Sequence, residues 1–178
     1  MSNEIITFWF EELKPKQWWV KDEELDRLIT QRFSSIHRQA SLGELASWRN
    51  DPQGQLAEII ILDQFSRNIY RNTPHSFAHD GQALTLAQFA IVKGQDLELA
   101  PSQRAFLYMP FMHSESSLIH KEAVKLFTQL GNPEQIKFEQ LHKDIIDRFG
   151  RYPHRNQILG RKSSSEEIEF LKSPNSSF

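Results

Sequence analysis

The stretch from Asp63 to Arg71 places several polar residues inside the most apolar run of the chain. Helical spacing puts Asp63 beside Arg67, and Gln64 beside Asn68. Polar groups on a buried helix need partners, because desolvated donors and acceptors are costly when unpaired. We predict a shared polar network here, with a solvated surface salt bridge as the alternative.

A second stretch, from Met109 to Glu115, joins a proline to a predicted helix start. Free N–H groups and the partial positive charge of a helix N-terminus can hold an anion or lower the pKa of a histidine. His113 and Glu115 are therefore candidate acid, base or metal-ligating groups. The alternative is that Ser114 caps the helix while Glu115 complements its dipole, and His-x-Glu is not the metalloprotease spacing.

Cations concentrate in a third stretch, which runs from His142 to Lys162. Between positions 148 and 162 there are five cations and no Asp or Glu: Arg148, Arg151, Arg155, Arg161 and Lys162. Guanidinium groups suit bidentate capture of phosphate or carboxylate. The first two can serve instead as favourable charges at a helix C-terminus. We predict ligand binding by the residues beyond that end, namely His154, Arg155 and Asn156.

The elements that must position these residues are predicted to be helices, because cap residues precede apolar periodic stretches and glycines follow them. Strand signals are nearly absent. The predicted N-caps are Asn3, Asp22, Asp51 and Asn132, the last two followed by proline at the first helical position. The predicted left-handed terminators are Gly94, Gly131 and Gly150.

Three further helix predictions come from proline and capping patterns. We expect a helix from near Ser76 to Lys93, and another that Pro101 opens and Pro110 breaks or kinks. Ser163 with Glu166 matches a capping box and predicts a short last helix before a Ser-rich tail from about 173. The result is an all-α single domain over residues 1–178, with seven to eight helices in antiparallel pairs.

The amino-acid composition limits the kinds of partner that we expect the protein to bind. Lys and Arg number 21 against 23 Asp and Glu, so the net charge of -2 provides no global field to recruit nucleic acid or anionic lipid. The sequence has no Cys, which fits a reducing compartment. The longest aliphatic run, Ile59 to Leu62, is far short of a membrane span, and the N-terminus does not resemble a signal peptide. We expect a cytoplasmic protein.

Aromatic residues cluster near the N-terminus, at Phe8, Trp9, Phe10, Trp18, Trp19 and Trp48. Indoles suit a ligand cage or a membrane-interface anchor as well as a core. A membrane-surface helix would carry Lys or Arg where this chain has Glu11 and Glu12. We therefore predict that these aromatics pack in the core.

Four long strings in order carry a resemblance over nearly the whole chain: LDQFSRNIYRNT, FLYMPFMHSES, HKDIIDRFGRYPHRN and LGRKSSSEEIEFL. With the opening FWF and the closing SSF, they resemble the bacterial proteins grouped as domain of unknown function 924. The resemblance implies an all-helical, tetratricopeptide-like fold with helices paired into a curved stack. It implies no particular activity.

Two positions depart from the pattern of that family. Ser66 stands where the family commonly has proline, which would remove one backbone hydrogen bond, so we expect a straighter helix here. Asn72 stands where glycine is common, and asparagine tolerates the left-handed conformation that the turn needs.

We expect the three polar stretches to converge on one pocket that binds, and can act on, a small anionic or polar ligand. The predicted proton-transfer residues are His113, Glu115, His142 and Asp63. The predicted ligand-binding residues are Gln64, Arg67, Asn68, Arg151, His154, Arg155 and Asn156. No cofactor is expected, and the sequence leaves open whether chemistry follows binding.

The rival hypothesis is a tetratricopeptide-like scaffold that binds a peptide or protein without catalysis. It predicts polar side chains spread along a groove, whereas an enzyme predicts their clustering in one concavity. Metal binding is a third alternative, with the candidate ligands His113, Glu115, His142 and His154 but no close spacing to support it. No nucleic acid or membrane partner is expected, and the oligomeric state is left open.

Overall fold

The computed structural model describes residues 1–177, which form helices and turns with no β-strand among them. The last residue of the predicted Ser-rich tail, at position 178, lies outside the described residues. The α-helices are α1 (Ser2–Thr7), α2 (Glu23–Ser41), α3 (Pro52–Ile60), α4 (Ser66–Ile69), α5 (Asp80–Val92), α6 (Pro101–Met112), α7 (Ser117–Leu130), α8 (Pro133–Phe149) and α9 (Ser165–Phe170).

Tighter and wider helical turns connect or extend these elements. Single π-helical turns follow α1 at Phe8–Glu12 and α3 at Ile61–Phe65. The 3₁₀ turns are Pro15–Trp18, Ala46–Asn50, Pro74–Phe77, Gln95–Glu98 and Pro153–Arg155. The prediction of an all-α fold is confirmed.

Most helix boundaries follow the local cap chemistry. The carboxylate of Asp22 accepts the N–H groups of Glu24 and Leu25, and Asp51 accepts that of Gly54 at 2.9 Å. The side chain of Asn132 caps α8 in the same way. The predicted glycine terminators have φ angles of 70° at Gly94, 80° at Gly131 and 67° at Gly150. Asn72 also adopts a positive φ of 62°, which confirms that the turn survives without glycine.

Other boundaries differ from the sequence-based predictions. The first helix begins at Ser2 instead of after Asn3, and the helix expected from Ser76 begins at Asp80 after a 3₁₀ turn. Pro110 lies inside α6, which continues to Met112. The last capping box uses Ser164 and Glu167, one residue later than predicted.

The chain groups into two compact units, and the first comprises Met1–Arg71 and His75–Pro110. In this unit α1 and α5 pack against α3, and α2 packs against α4. Phe8 and Trp9 are 1% and 2% exposed, so the prediction of core packing is confirmed for them. Trp19, by contrast, is exposed over 60% of its surface.

The second unit comprises Asn72–Pro74 and the chain from Phe111 onward. Helices α7 and α8 pack against each other across a two-residue connection, which makes them an antiparallel hairpin. A buried cluster of Ile145, Ile146 and Tyr152 forms a core here, with Phe149 and Phe170 against it. The predicted single domain and curved helical stack stay predictions. No helix of residues 1–177 has the length and apolar character needed to cross a membrane.

Candidate functional site

In the first unit, Asp63 sits on the π-helical turn Ile61–Phe65, buried within an apolar helical run. A π turn shifts the side-chain register of a helix, and such turns are frequent at functional sites. The guanidinium of Arg67 lies 3.2 Å from the Asp63 carboxylate. It also donates two hydrogen bonds to Asp80, at 2.9 and 3.0 Å. Asp63 and Arg67 are therefore fixed by ion pairing.

A second ion pair lies on the neighbouring face of the same helical run. Asn68 donates from Nδ2 to Oδ1 of Asp26 at 2.8 Å, and Arg71 holds the same carboxylate through two nitrogens. This pairing raises the pKa of Arg71, against the lowering effect of burial. Gln64 donates to the Asp63 carboxylate. The polar side chains of this stretch are paired in two groups, with Asp80 and Asp26 as partners that the sequence did not identify.

Ser66, the residue in place of the common proline, is buried beside a histidine. Its Oγ donates to the Leu62 carbonyl at 2.6 Å and lies 2.8 Å from Nε2 of His37. Burial, and then the nearby His79, lowers the pKa of His37 to about 4. The His37 imidazole is therefore neutral near neutral pH.

In the second unit, Glu115 is held by three donors. Arg161 donates from Nη1 and Nη2 at 2.6 and 2.9 Å, and the Tyr152 N–H donates at 2.7 Å. Burial raises the pKa of Glu115, but the hydrogen bonds from Arg161 and Tyr152 outweigh it and leave the pKa below its ordinary value. This geometry favours an ionised, structural carboxylate over the predicted acid or base.

Arg151 pairs with a carboxylate of α9. It donates to both oxygens of Glu167, at 2.7 and 2.8 Å, and lowers the pKa of Glu167 to about 2. Asn156 accepts from Nε of Arg161 at 2.9 Å and donates to Ser163. These contacts tie the segment after α8 to α9. Arg151 and Asn156 therefore have local partners within the unit.

The remaining predicted residues of this unit gather around the ring of Tyr152. The ring centroids of His120, His142 and His154 lie 6.3, 5.7 and 5.5 Å from it. The Arg155 guanidinium lies 4.7 Å over its face and donates to the His113 carbonyl at 3.0 Å. We call His113, His120, His142 and His154 the imidazole cluster.

His142 is the most strongly perturbed member of the cluster. Its pKa is lowered to about 3, chiefly by burial, against the raising effect of its hydrogen bond to Phe138. The three other imidazoles contribute to this lowering. Because Nδ1 lies 2.7 Å from the Phe138 carbonyl, Nδ1 carries the proton of the neutral ring and Nε2 is the basic nitrogen.

His120 and Glu139 form a buried pair that the sequence reasoning missed. Nδ1 of His120 lies 2.7 Å from Oε1 of Glu139. Its Nε2 donates to the Ser114 carbonyl at 2.9 Å and lies 3.1 Å from the Tyr152 hydroxyl. That hydroxyl donates to the Met112 carbonyl at 2.6 Å. Burial raises the pKa of Glu139, although His120 opposes this effect. The carboxyl and the imidazole can therefore share a proton.

The spacing of the sequence held a signal for this pair. His120 precedes Ala123 and Phe127 on the buried stripe of α7, and Glu139 stands three residues before His142 in α8. Two ionisable residues on facing apolar stripes require each other as partners.

An open depression of about 520 Å³ lies at the start of α7. Its lining residues are Glu115, Ser116, Ser117, Leu118, Ile146, Asp147 and Gly150.

Within residues 1–177, no three His, Asp or Glu side chains have the arrangement needed to hold a metal ion. The predicted convergence of Asp63, His113 and His154 on one pocket stays a prediction. Of the predicted site residues, the first unit holds Asp63, Gln64, Arg67 and Asn68. The second unit holds His113, Glu115, His142, Arg151, His154, Arg155 and Asn156.

The known proteins that resemble this chain share its fold, and they are themselves of unknown function. A solved structure of a protein of unknown function from Agrobacterium tumefaciens, ATU0120, is 36% identical and superimposes with a TM-score of 0.92. The alignment covers 96% of each chain. None of the curated proteins matches. Residues 5–175 match the bacterial proteins of unknown function DUF924, and the chain belongs to that family.

Proposed function

We propose that the second unit binds a small anionic or polar ligand beside the imidazole cluster and exchanges protons with it. The observation that carries the proposal is the gathering of three imidazoles and one guanidinium around the buried ring of Tyr152. Burying ionisable groups costs stability, and perturbed groups concentrate at functional sites. A core built only for folding would fill this space with apolar side chains.

Each member of the site has a role that follows from its environment. Arg155 supplies positive charge and a fixed donor plane for carboxylate or phosphate. His113 and His154 are half-buried, so they are the imidazoles best placed to meet a ligand from solvent. His142 is neutral, and its Nε2 offers a hydrogen-bond acceptor behind them.

His120 and Glu139 act in this proposal as a buried support for the site. Their hydrogen bond holds the His120 ring beside the Tyr152 hydroxyl. Glu115, Arg151 and Asn156 act in this proposal as the frame that holds the loops in place. Ligand binding by Asp63, Gln64, Arg67 and Asn68 stays a prediction.

Thermal unfolding with simple anions tests the proposal. Inorganic phosphate, acetate and succinate serve as probes, each titrated into the parent chain and into His154→Asn. A bound anion at about 100 times its dissociation constant stabilises by about 2.7 kcal/mol, which raises Tm by roughly 5–10 °C. We expect a saturable shift in the parent and a much smaller one in His154→Asn. The exposed His75→Asn serves as the control and should keep the full shift.

A second candidate function is peptide binding at the depression. Leu118, which lines it, is 69% exposed and offers an apolar anchor beside the start of α7. Selection of random peptides on the immobilised chain tests this function. Peptides that bind the parent and lose binding to Leu118→Ser would favour the interaction scaffold over the anion site.

A cytoplasmic location is part of the proposal, because the absence of Cys fits a reducing compartment. Fractionation of cells that express the chain, with detection in the cytoplasmic fraction, checks it.

A further inference from the structure

The turn between Glu12 and α2 presents two apolar side chains to solvent. Trp19 is 60% exposed and Val20 is 50% exposed. The Trp19 indole stacks on the buried ring of Phe106, with centroids 5.8 Å apart and ring planes 12° apart. Nε1 of the neighbouring Trp18 donates to the Trp9 carbonyl at 2.9 Å. Contacts with buried residues therefore fix the position of Trp19 and Val20.

Positive charge surrounds this exposed pair. Three exposed lysines, Lys14, Lys16 and Lys21, flank it, and positions 13 to 21 contain no acidic residue. We call residues 14–21 the lysine–tryptophan tip. Its cations alternate with apolar side chains on one short turn.

Acidic residues lie on either side of the tip, and two of them, Glu12 and Asp22, are compensated. Glu12 accepts two hydrogen bonds from Arg32, at 2.6 and 3.3 Å. The Asp22 carboxylate is held by backbone N–H groups at the start of α2, where the helix dipole favours negative charge. Glu11, before the tip, and Glu23 and Glu24, directly after it, are exposed. They oppose the lysines and keep the expected affinity modest.

We propose that the lysine–tryptophan tip docks on a membrane surface that contains anionic lipid. Trp19 and Val20 enter the headgroup region, and the lysines lie against the lipid phosphates. Indoles favour the boundary between headgroups and acyl chains, and lysines extend their apolar stems while keeping the ammonium groups among the phosphates. Of the two carboxylates that disfavour a membrane surface, Glu12 is neutralised by its pairing with Arg32, while Glu11 stays exposed.

Lipid fits the tip better than single-stranded nucleic acid, the other polyanion that Lys and Trp can recognise. Val20 gains from entering an apolar layer but gives no stacking surface for a base. One face of Trp19 is already covered by Phe106, so the tip offers a single ring face, whereas single-strand binders align several.

Co-sedimentation of the full chain with vesicles tests the proposal. Vesicles of phosphatidylcholine mixed with phosphatidylglycerol are compared with phosphatidylcholine alone, at low salt. We expect binding to the anionic vesicles, weakened by added salt, with a blue shift of tryptophan fluorescence. Each lysine contributes about 1 kcal/mol to the free energy of binding to an anionic surface, which is roughly a fivefold change in affinity. The triple variant Lys14→Gln, Lys16→Gln, Lys21→Gln should therefore bind about a hundredfold more weakly.

Matched variants test whether binding depends on the residues of the tip or on any exposed lysine and apolar side chain. Trp19→Ala should weaken binding by about tenfold through lost apolar burial. Val92→Ser, at an apolar position that is even more exposed, should leave binding unchanged. The triple change Lys125→Gln, Lys137→Gln, Lys172→Gln, at exposed lysines elsewhere, should also leave it unchanged. The proposal is overturned if the chain binds neither vesicle or binds both equally. It is also overturned if the control triple weakens binding as much as the triple in the tip, or if the chain prefers a single-stranded oligonucleotide. None of these outcomes depends on the ligand proposed for the imidazole cluster.

Discussion

Glu115 and Arg161, 46 residues apart in sequence, form a two-point ion pair with N–O distances of 2.6 and 2.9 Å. The pair closes the loop after α8 back onto the segment before α7. The Tyr152 N–H donates to the same carboxylate. This hydrogen bond connects the ion pair to Tyr152, whose ring lies at the centre of the imidazole cluster.

A double-mutant cycle on Glu115→Gln and Arg161→Gln should give a coupling free energy of about 1.5–3 kcal/mol, because the pair is bidentate and half-buried. Chemical denaturation measures it. The exposed pair of Arg148 and Glu166 is the control and should couple by less than about 1 kcal/mol. Equal coupling in the two cycles would show that Glu115 is not structural.

The acid limb of the stability curve should depend on His142. The pKa of this buried imidazole is about 3 in the folded chain, against an ordinary value of 6.5. The unfolded chain therefore binds more protons between these values, and stability is lost as pH falls from 6.5 towards 3. The slope contributed by His142 approaches about 1.4 kcal/mol per pH unit.

His142→Asn retains a donor for the Phe138 carbonyl and removes the titration. Denaturation at several pH values should give it a shallower acid slope than the parent, with the remaining slope set by His37 and the carboxylates. His75→Asn makes the same substitution at an exposed position and serves as the control for the change of residue type. A parent and a His142→Asn curve that run parallel below pH 6.5 would contradict the assignment of a low pKa.

Gly54 should not tolerate a side chain. A Cβ at this position would lie 2.2 Å from the Trp48 carbonyl oxygen and 2.9 Å from the Asp51 carboxylate. We expect Gly54→Ala to lower the free energy of unfolding by about 1–3 kcal/mol or more. Gly81, also in the first turn of a helix, has open space around its Cβ position. Gly81→Ala should raise stability by about 0.4–1 kcal/mol, and a loss at both positions would refute the explanation.

The fully buried carboxylate of Glu58 depends on Arg49, which donates to both of its oxygens at 2.7 and 2.6 Å. Arg49→Met leaves that charge buried without its partner and should cost about 3–5 kcal/mol. Lys125→Met, which breaks an exposed pair with Glu122, should cost about 0–1 kcal/mol. Urea denaturation compares the two, and similar small losses would mean that Glu58 is solvated without Arg49.

The features that the sequence predicted correctly are those with local causes. Asp22, Asp51 and Asn132 cap their helices because each side chain reaches N–H groups two or three residues later. Gly131 and Gly150 end helices because they adopt left-handed backbone at little cost. The proximity of Asp63 to Arg67 was also predictable from helical spacing, but their partner Asp80 lies on another helix.

The features that the sequence missed have causes distant in the chain. The run of Ser163, Ser164 and Ser165 offers several capping registers, and the pairing of Glu167 with Arg151 selects one of them. The partnership of His120 with Glu139 forms only when α7 packs on α8. The π turn at Ile61–Phe65 likewise depends on packing, because its hydrogen-bond pattern has no local sequence signal.

Nuclear magnetic resonance of the histidine ring nitrogens, recorded while phosphate or succinate is added, tests the proposed ligand site most directly. The chain has seven histidines, and His37, His75 and His79 of the first unit provide an internal control. The account predicts saturable shifts of the imidazole cluster, largest for His113 and His154, with the three control resonances unmoved. Resonances that stay still at every anion concentration, or that all move together with ionic strength, would contradict it.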